Sequence, residues 1–253
     1  MPIKYELETI PVWDAYRAGS ECPLCLLLRR AEADFVRFYV GHSVMVPEMR
    51  VQVNDAGFCR AHFPMLLDGG NRLGLALITH THLGELRGKL DKHLLAGKSG
   101  GALKKELARL TALVDEQLDR CLICDRLRDR FLRYAYTIVH LWQNDADFRA
   151  EFLASKGFCL DHLKGQLEMA RQTLPGARLG AFVAETAELQ GRAWDRLERE
   201  LLAFTGKFDY RSTAPPSAAT RQSVAGAIAK LTGANPAQHD AHNSPMDSGT
   251  GDR

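Results

Sequence analysis

The sequence lacks long apolar segments and an excess of charge of one sign. Its longest apolar runs are about six residues, against the roughly 18 that a helix needs to span a bilayer. The 33 basic and 31 acidic residues leave a net charge of +2, which does not indicate nucleic acid or an anionic surface as a partner. We therefore expect no membrane span and no nucleic-acid partner.

An export signal is also missing from the start of the sequence. Residues 1–6 show no basic segment followed by an apolar one, which is the pattern of a secretory leader. The expectation is a cytoplasmic protein, in which thiols stay reduced. For the six cysteines of the chain, metal binding or redox chemistry then fits better than a disulfide framework.

Familiar reaction motifs are absent as well. The sequence contains no glycine-rich phosphate loop, GxSxG elbow, HExxH helix or EF-hand loop, each of which would indicate a specific chemistry. We therefore expect a role other than catalysis. An enzyme with a pocket near His82, with Glu85 as its partner, is kept as an alternative, because histidine is the usual proton carrier near neutral pH.

The sequence does contain a repeated cysteine and histidine pattern. The CxxC at Cys22–Cys25 recurs at Cys121–Cys124, and the GFCxxH at Gly57–His62 recurs at Gly157–His162. This pattern uses all six cysteines. Such internal similarity indicates two halves that are built alike.

The repeated residues match the ligand preferences of zinc, which takes four thiolate and imidazole ligands in a tetrahedron. The prediction assigns each CxxC to the CxxH that follows it. It gives two Cys3His sites, Cys22/Cys25/Cys59/His62 and Cys121/Cys124/Cys159/His162. With four protein ligands each site is closed, so both zinc ions of the chain are interpreted as structural. An iron–sulfur cluster or a redox-responsive centre on the same ligands is the alternative.

Helix termini are predicted at the ligands. Pro23 suits the first position of a helix, which makes Cys22 its N-cap. Gly57 and Gly157 suit tight turns just before Cys59 and Cys159. Thiolates at helix N-termini are stabilised by the backbone amides and the helix dipole.

Helical periodicity dominates the sequence and predicts an all-α, mainly helical fold. It indicates two tandem pseudo-repeats, each pinned by a Cys3His site. Each repeat has a first helix, near residues 24–38 and 127–141, and a long helix, near 73–94 and 182–204. Residues 44–53 are predicted as a short strand or an irregular loop.

These patterns divide the chain into four parts. The prediction is a first metal-binding repeat at 1–97, a connecting helix at 98–118, a second metal-binding repeat at 119–206 and a disordered tail at 207–253. The tail is rich in Ala, Pro, Ser, Thr, Gly and Asn, which cannot form a core large enough to offset the entropy of ordering. Residues 224–231 could fold there on a partner.

Several segments together resemble a known bacterial family. They are CPLC, Ser43–Pro47 with Arg50, GFCRAH, Leu73–Leu77 leading into Thr81–Leu83, and the second CLIC and GFCLDH. On these motifs the chain resembles a family catalogued only as a domain of unknown function, some of whose members are labelled ABC transporter substrate-binding protein. The resemblance covers about residues 5–206 and implies a helical architecture with two sites. From the closed sites we expect an accessory protein that binds an unidentified protein partner.

Overall fold

A computed structural model of the chain describes residues 7–94, 99–206 and 217–233. Within these residues the chain forms eleven α-helices, one short 3-10 helix and no strand. The helices are α1 (Thr9–Arg17), α2 (Pro23–Val40), α3 (Pro47–Ala56), α4 (His62–Asp68), α5 (Arg72–Leu94), α6 (Gly100–Asp119), α7 (Leu122–Asn144), α8 (Ala146–Ala154), α9 (Leu160–Thr173), α10 (Gly176–Thr205) and α11 (Ala218–Thr232). The all-α prediction is confirmed, and none of these helices is long and apolar enough to cross a membrane.

The segment from Val44 to Val53 is helical, so the prediction of a strand or irregular loop was wrong. The 3-10 helix spans His42–Met45, and α3 begins at Pro47, whose ring and missing N–H suit the first helical position. The valines of this segment alternate like those of a strand, but Val53 and Ala56 face inward with helical spacing while Val51 is exposed.

The described helices form two compact units. One unit comprises Leu28–Arg130, and the other comprises Met1–Leu27 together with Phe131–Arg253. The unit boundaries therefore fall within α2 and α7 and do not coincide with the predicted division after residues 97 and 118. We call Leu28–Arg130 the inner unit, because in the sequence it lies between the two segments that form the other unit. We call that other unit the outer unit.

The inner unit packs around aromatic and aliphatic residues of α2, α3, α4, α5, the turn between α3 and α4, and the start of α7. Its core includes Val36, Tyr39, Val53, Phe58, Leu66, Leu75, Ile78, Cys121 and Ile123. Phe58 stands edge to face against Tyr39 at 5.1 Å and against Phe63 at 5.6 Å between ring centroids, an arrangement that aromatic pairs favour. Cys121, one of the predicted metal ligands, is thus part of this core.

The outer unit has an aromatic core of its own. Phe152, on α8, is fully buried and lies 6.1 Å from Tyr16, 6.0 Å from Phe158 and 5.6 Å from Phe182, measured between ring centroids. Asp145 begins α8 by accepting hydrogen bonds from the backbone of the next turn. Phe158 directly precedes the ligand Cys159, so this core holds the second GFCxxH segment in place.

Part of the predicted tail is an ordered helix. α11 begins at the N-cap Ser217, whose hydroxyl accepts from Thr220 N–H, and it ends at Gly233 in the left-handed conformation. Small residues let α11 approach α10 closely: a Cβ at Gly226 would lie 3.3 Å from Leu197. Low apolar content therefore did not prevent packing here. The rest of the predicted tail lies outside the described residues.

Candidate metal centres

The eight predicted ligands gather into two Cys3His groups, but the pairs are exchanged. Cys59 and His62 join Cys121 and Cys124 in the inner unit, and Cys22 and Cys25 join Cys159 and His162 in the outer unit. The prediction that each CxxC shares a site with the CxxH that follows it was therefore wrong. We call the two groups the inner site and the outer site.

The inner site is assembled by a backbone contact between its two halves. The N–H of Leu122, the first residue of α7, donates to the carbonyl of Gly57 at 3.2 Å. Gly57 has a φ of 64°, which favours glycine. The turn at Gly57 thus places Cys59 and His62 beside the N-terminus of α7, where Cys121 and Cys124 lie.

The outer site is assembled by a lysine of α11. Lys230 is 2% exposed, and its ammonium donates to the carbonyl of Glu21 at 2.5 Å and to the carbonyl of Lys156. Glu21 precedes the ligand Cys22, and Lys156 precedes the Gly157 turn that leads to Cys159. One buried side chain therefore fastens together the two segments that carry the ligands.

At Cys22 and Cys159 the local structure follows the sequence prediction, whereas α4 begins at His62, three residues after Cys59. α2 begins at Pro23, directly after Cys22, and Cys159 is the N-cap of α9. The carbonyls of Cys22 and Cys121 accept the first helical hydrogen bonds, from Leu26 and Asp125. Ligands of both sites therefore lie at helix N-termini, where the dipole stabilises thiolates.

The separations between ligand atoms fit a single tetrahedral ion. In the outer site Cys25 Sγ lies 3.6 Å from Cys159 Sγ and 3.2 Å from His162 Nδ1. In the inner site Cys59 Sγ lies 3.8 Å from Cys124 Sγ and 3.2 Å from His62 Nδ1. Zinc with ordinary bond lengths requires about 3.8 Å between sulfurs and about 3.6 Å between sulfur and nitrogen. Both donor sets can therefore hold zinc after shifts of a few tenths of an ångström.

The histidine of each site is oriented by a different neighbour. His62 presents Nδ1 to the thiols, and its Nε2 donates to Glu32 at 3.0 Å. A carboxylate behind a ligating imidazole fixes the ring and strengthens the ligand. His162 also presents Nδ1, but its ring stacks on Phe131 with centroids 5.5 Å apart. The inner site thus has an acidic support and the outer site an aromatic one.

Two polar side chains support the glycine turns of the sites. Nδ1 of His82 donates to the carbonyl of Asn54 at 3.0 Å, and a Cβ at Gly57 would lie 2.5 Å from Nε2 of the same ring. In the outer unit Gln190 bonds both the N–H and the carbonyl of Phe158, at 3.0 and 2.9 Å. His82 thus packs against the Gly57 turn, and Glu85, suggested as its partner, is exposed.

Without metal, the inner site holds a thiolate beside an imidazolium. Burial would lower the pKa of His62, but hydrogen bonds with Cys121 and Glu32 outweigh it and raise the pKa to about 10. Burial would raise the pKa of Cys121, but the hydrogen bond from His62 and those from backbone N–H groups lower it to about 6. Burial and the charge of Cys121 raise the pKa of Cys124 to about 12.

The outer site shows the same division of charge. Burial would lower the pKa of His162, but hydrogen bonds with Cys159 and Cys22 raise it to about 10. Hydrogen bonds from the thiols of Cys22 and Cys25 lower the pKa of Cys159, and hydrogen bonds with Cys159 and Cys22 raise the pKa of Cys25. A bound cation would displace these protons from both sites, because metal ligands must be deprotonated.

The C-terminal end of α11 covers the outer site. A Cβ at Gly233 would lie 3.3 Å from Cys159 Sγ and 3.7 Å from Cys25 Sγ. The backbone therefore approaches the thiols so closely that a side chain would meet them. With Lys230, this contact makes α11 part of the outer site, although its sequence predicted a tail.

The residues that support the ligands were not predicted. Glu32, Gln190 and Lys230 belong to no recognisable motif, and each contacts a segment distant in the sequence. A signal was present for two of them. Gln190 is a polar residue in the buried stripe of α10, and Lys230 lies in a segment bounded by Ser217 and Gly233, which are typical helix-capping residues.

Comparisons with known proteins add the family. No curated protein and no solved structure matches the chain. The family match includes both sites, and it extends beyond the range suggested by the motifs because it also includes α11. The model of a family described as a family of unknown function (DUF6062) matches residues 3–238, and the chain belongs to this family.

Proposed function

We propose that this chain is a structural zinc protein in which two ions fix the helix termini of an all-α scaffold. The observation that carries the proposal is the separation of the ligand atoms: the four atoms of each group lie within 4.8 Å of one another. Four protein ligands leave no open position for a substrate or water, which is the property of structural sites. The ions would then contribute to folding and leave the surface for other roles.

Ligand spacing favours a single ion over a cluster. An iron–sulfur cluster places several metal ions and sulfides between its ligands, and it usually takes four thiolates. Here sulfur atoms lie 3.6 and 3.8 Å apart, and one ligand in each site is a histidine. A mononuclear ion fills that space, and zinc suits a mixed sulfur and nitrogen donor set.

The surroundings of the sites also suit zinc bound by three thiolates and one histidine. Such a centre carries a net charge of about −1. The buried ammonium of Lys230 lies beside the outer site and offsets that charge. Helix N-terminal amides at Cys22, Cys121 and Cys159 act in the same direction.

A cytoplasmic accessory or interaction protein is the cellular role that we infer. The six cysteines are free thiols, which a reducing compartment preserves. The two ions would stabilise a scaffold on which several large apolar side chains are exposed, and these side chains are available for contact with a protein partner.

A second candidate is a redox-responsive zinc protein. Cys25, Cys59 and Cys124 are only partly buried, so an oxidant can reach one or two thiolates of each site. Oxidation of two ligands to a disulfide would release the ion. This candidate uses the same two sites and differs only in what happens under oxidising conditions.

Elemental analysis with an absorption spectrum on protein purified without oxygen tests the proposal. We expect about two zinc ions per chain and no visible absorption, since zinc is colourless and redox-inert. Iron with sulfide and visible colour would reject structural zinc. Stoichiometric zinc that is released by mild peroxide and restored by a thiol reductant would support the redox-responsive candidate.

A further inference from the structure

Helix α6 carries an apolar stripe on its outer side. Leu103, Leu107, Val114 and Leu118 are 43%, 50%, 38% and 70% exposed. With the half-buried Leu110 between them, the intervals are four, three, four and four residues, so all five lie on one face of the helix and the first four follow the spacing of a coiled-coil seam. We call these four exposed residues the α6 stripe.

The face of α6 next to the stripe is fixed to the inner unit by polar contacts. Glu106, the buried residue of the helix, accepts from His93 Nδ1 at 2.5 Å. Gln117 donates to the carbonyl of Ala56 at 3.0 Å. These contacts at both ends of the helix determine which face is turned inward. The α6 stripe therefore lies beside the packed face and meets solvent.

The charges next to the stripe differ in sign at its two ends. Lys104 follows the first residue of the stripe, and Asp115 lies near its other end, and both are exposed. They are eleven residues apart, close to three full turns, so both flank the stripe on the same side. A helix with this arrangement is complementary to a second copy that runs in the opposite direction.

We propose that the α6 stripe is a self-association surface, on which α6 of a second copy packs antiparallel about a twofold axis near Leu110. In this register Leu103 faces Leu118 of the second copy and Leu107 faces its Val114. The same rotation brings Lys104 of each copy next to Asp115 of the other. Two equivalent ion pairs therefore form, as an isologous contact requires. A parallel arrangement would instead leave Lys104 and Asp115 of the two copies about 16 Å apart along the helix axis.

The contact is small, so the dimer is weak. A single pair of helices with four apolar side chains from each copy falls below the area of a typical stable interface. Sedimentation velocity on the zinc-loaded full chain, from about 1 to about 200 µM, covers the range in which such a contact is measurable. We expect a shift from monomer to dimer within this range. A monomer throughout would overturn the proposal.

Three exposed substitutions identify the surface and its direction. Leu107→Glu places two carboxylates in the apolar seam and should weaken the dimer at least about a hundredfold. Lys104→Glu and Asp115→Lys should each weaken self-association about tenfold by opposing like charges. A dimer that Leu107→Glu leaves unchanged would show that another surface is used.

An equimolar mixture of the Lys104→Glu and Asp115→Lys proteins is the decisive sample. In an antiparallel heterodimer the introduced glutamate of one copy meets the introduced lysine of the other, and the unchanged Asp115 meets the unchanged Lys104. Every charge pair is then attractive again, so we expect the mixture to dimerise about as well as the unchanged protein and better than either variant alone. Failure of the mixture to recover would refute the antiparallel register. Zinc content measured on each sample shows that both sites are intact.

Discussion

The exchange of ligand pairs can be tested by two double variants that remove the same number of thiolates. Cys25→Ser with Cys159→Ser removes two ligands of the outer site and leaves the inner site complete. Cys25→Ser with Cys59→Ser removes one ligand from each site. If each CxxC instead shared a site with the CxxH that follows it, which we call sequential pairing, Cys25 and Cys59 would share one ion. The Cys25/Cys59 variant would then lose two ligands of one site, and the Cys25/Cys159 variant would lose one ligand of each.

The size of the effect follows from the energy of structural zinc. Such an ion contributes roughly 10–16 kcal/mol through four ligands, so one thiolate contributes about 2.5–4 kcal/mol. Loss of one thiolate should weaken affinity about 100-fold to 1,000-fold. Loss of two from one site should abolish binding there.

Zinc competition against a chromogenic chelator measures both variants. We expect the Cys25/Cys159 variant to retain one ion with unchanged affinity and the Cys25/Cys59 variant to bind both ions weakly. Circular dichroism at saturating zinc shows whether each protein keeps its helices. One intact site in the Cys25/Cys59 variant, with two weakened sites in the Cys25/Cys159 variant, would refute the exchanged pairing.

Three further predictions concern the groups around the ligands. Glu32→Gln should weaken zinc binding at the inner site about 10-fold to 100-fold, because the carboxylate orients His62, and chelator competition should show an unchanged outer site. Lys230→Met should lower the free energy of unfolding by about 2 kcal/mol, since buried hydrogen bonds from a charged group are lost, and urea denaturation measures this loss. In the same variant, stopped-flow chelation should show faster zinc release from the outer site alone. The metal-free protein should be most stable between about pH 6.5 and pH 9. The raised pKa of His62 stabilises the fold below pH 6.5 and loses its effect as the pH rises through about 10. The lowered pKa of Cys121 stabilises the fold above pH 9 and loses its effect as the pH falls through about 6. The two contributions together stay level between these limits, and thermal unfolding across the pH range should show such a plateau.

Helix positions were predictable because their signals are local. The periodicities that predicted first helices, long helices and a connecting helix correspond to α2, α7, α5, α10 and α6. Pro23 and the two glycine turns also lie where their backbone preferences require. Each of these features depends on residues within a few positions of one another. Such local patterns can be recognised in a single sequence.

Ligand pairing was not predictable because both arrangements satisfy the same chemistry. Either CxxH completes a Cys3His set with either CxxC, and the motif contains no information on which one is near. Loop closure favours the sequential arrangement by only about 1 kcal/mol, since its cost grows with the logarithm of length. Packing of α7 against the Gly57 turn, and of Lys230 between Glu21 and Lys156, exceeds that difference.

The side chain that supports the Gly157 turn and the packing of α11 were also not predictable from the sequence. The segment Arg72-Leu73-Gly74 recurs as Arg178-Leu179-Gly180. This offset of 106 residues pairs His82 with Glu188, but the residue that supports the Gly157 turn is Gln190, two positions further on. The small residues of α11 predicted a tail. Small side chains weaken a core in general, but they also permit the close contact with Leu197 that is seen here.

The exchanged pairing has a consequence for the order in which the chain is made. During synthesis Cys22, Cys25, Cys59 and His62 leave the ribosome well before Cys121 exists, and these four residues are already a complete ligand set for zinc. The finished fold divides them between two Cys3His groups. A growing chain in zinc-rich surroundings can therefore capture an ion in a sequential site that the mature protein does not use, and it must release two of those ligands before the inner site closes. Production of correctly folded protein should thus depend on when zinc is supplied as well as on how much.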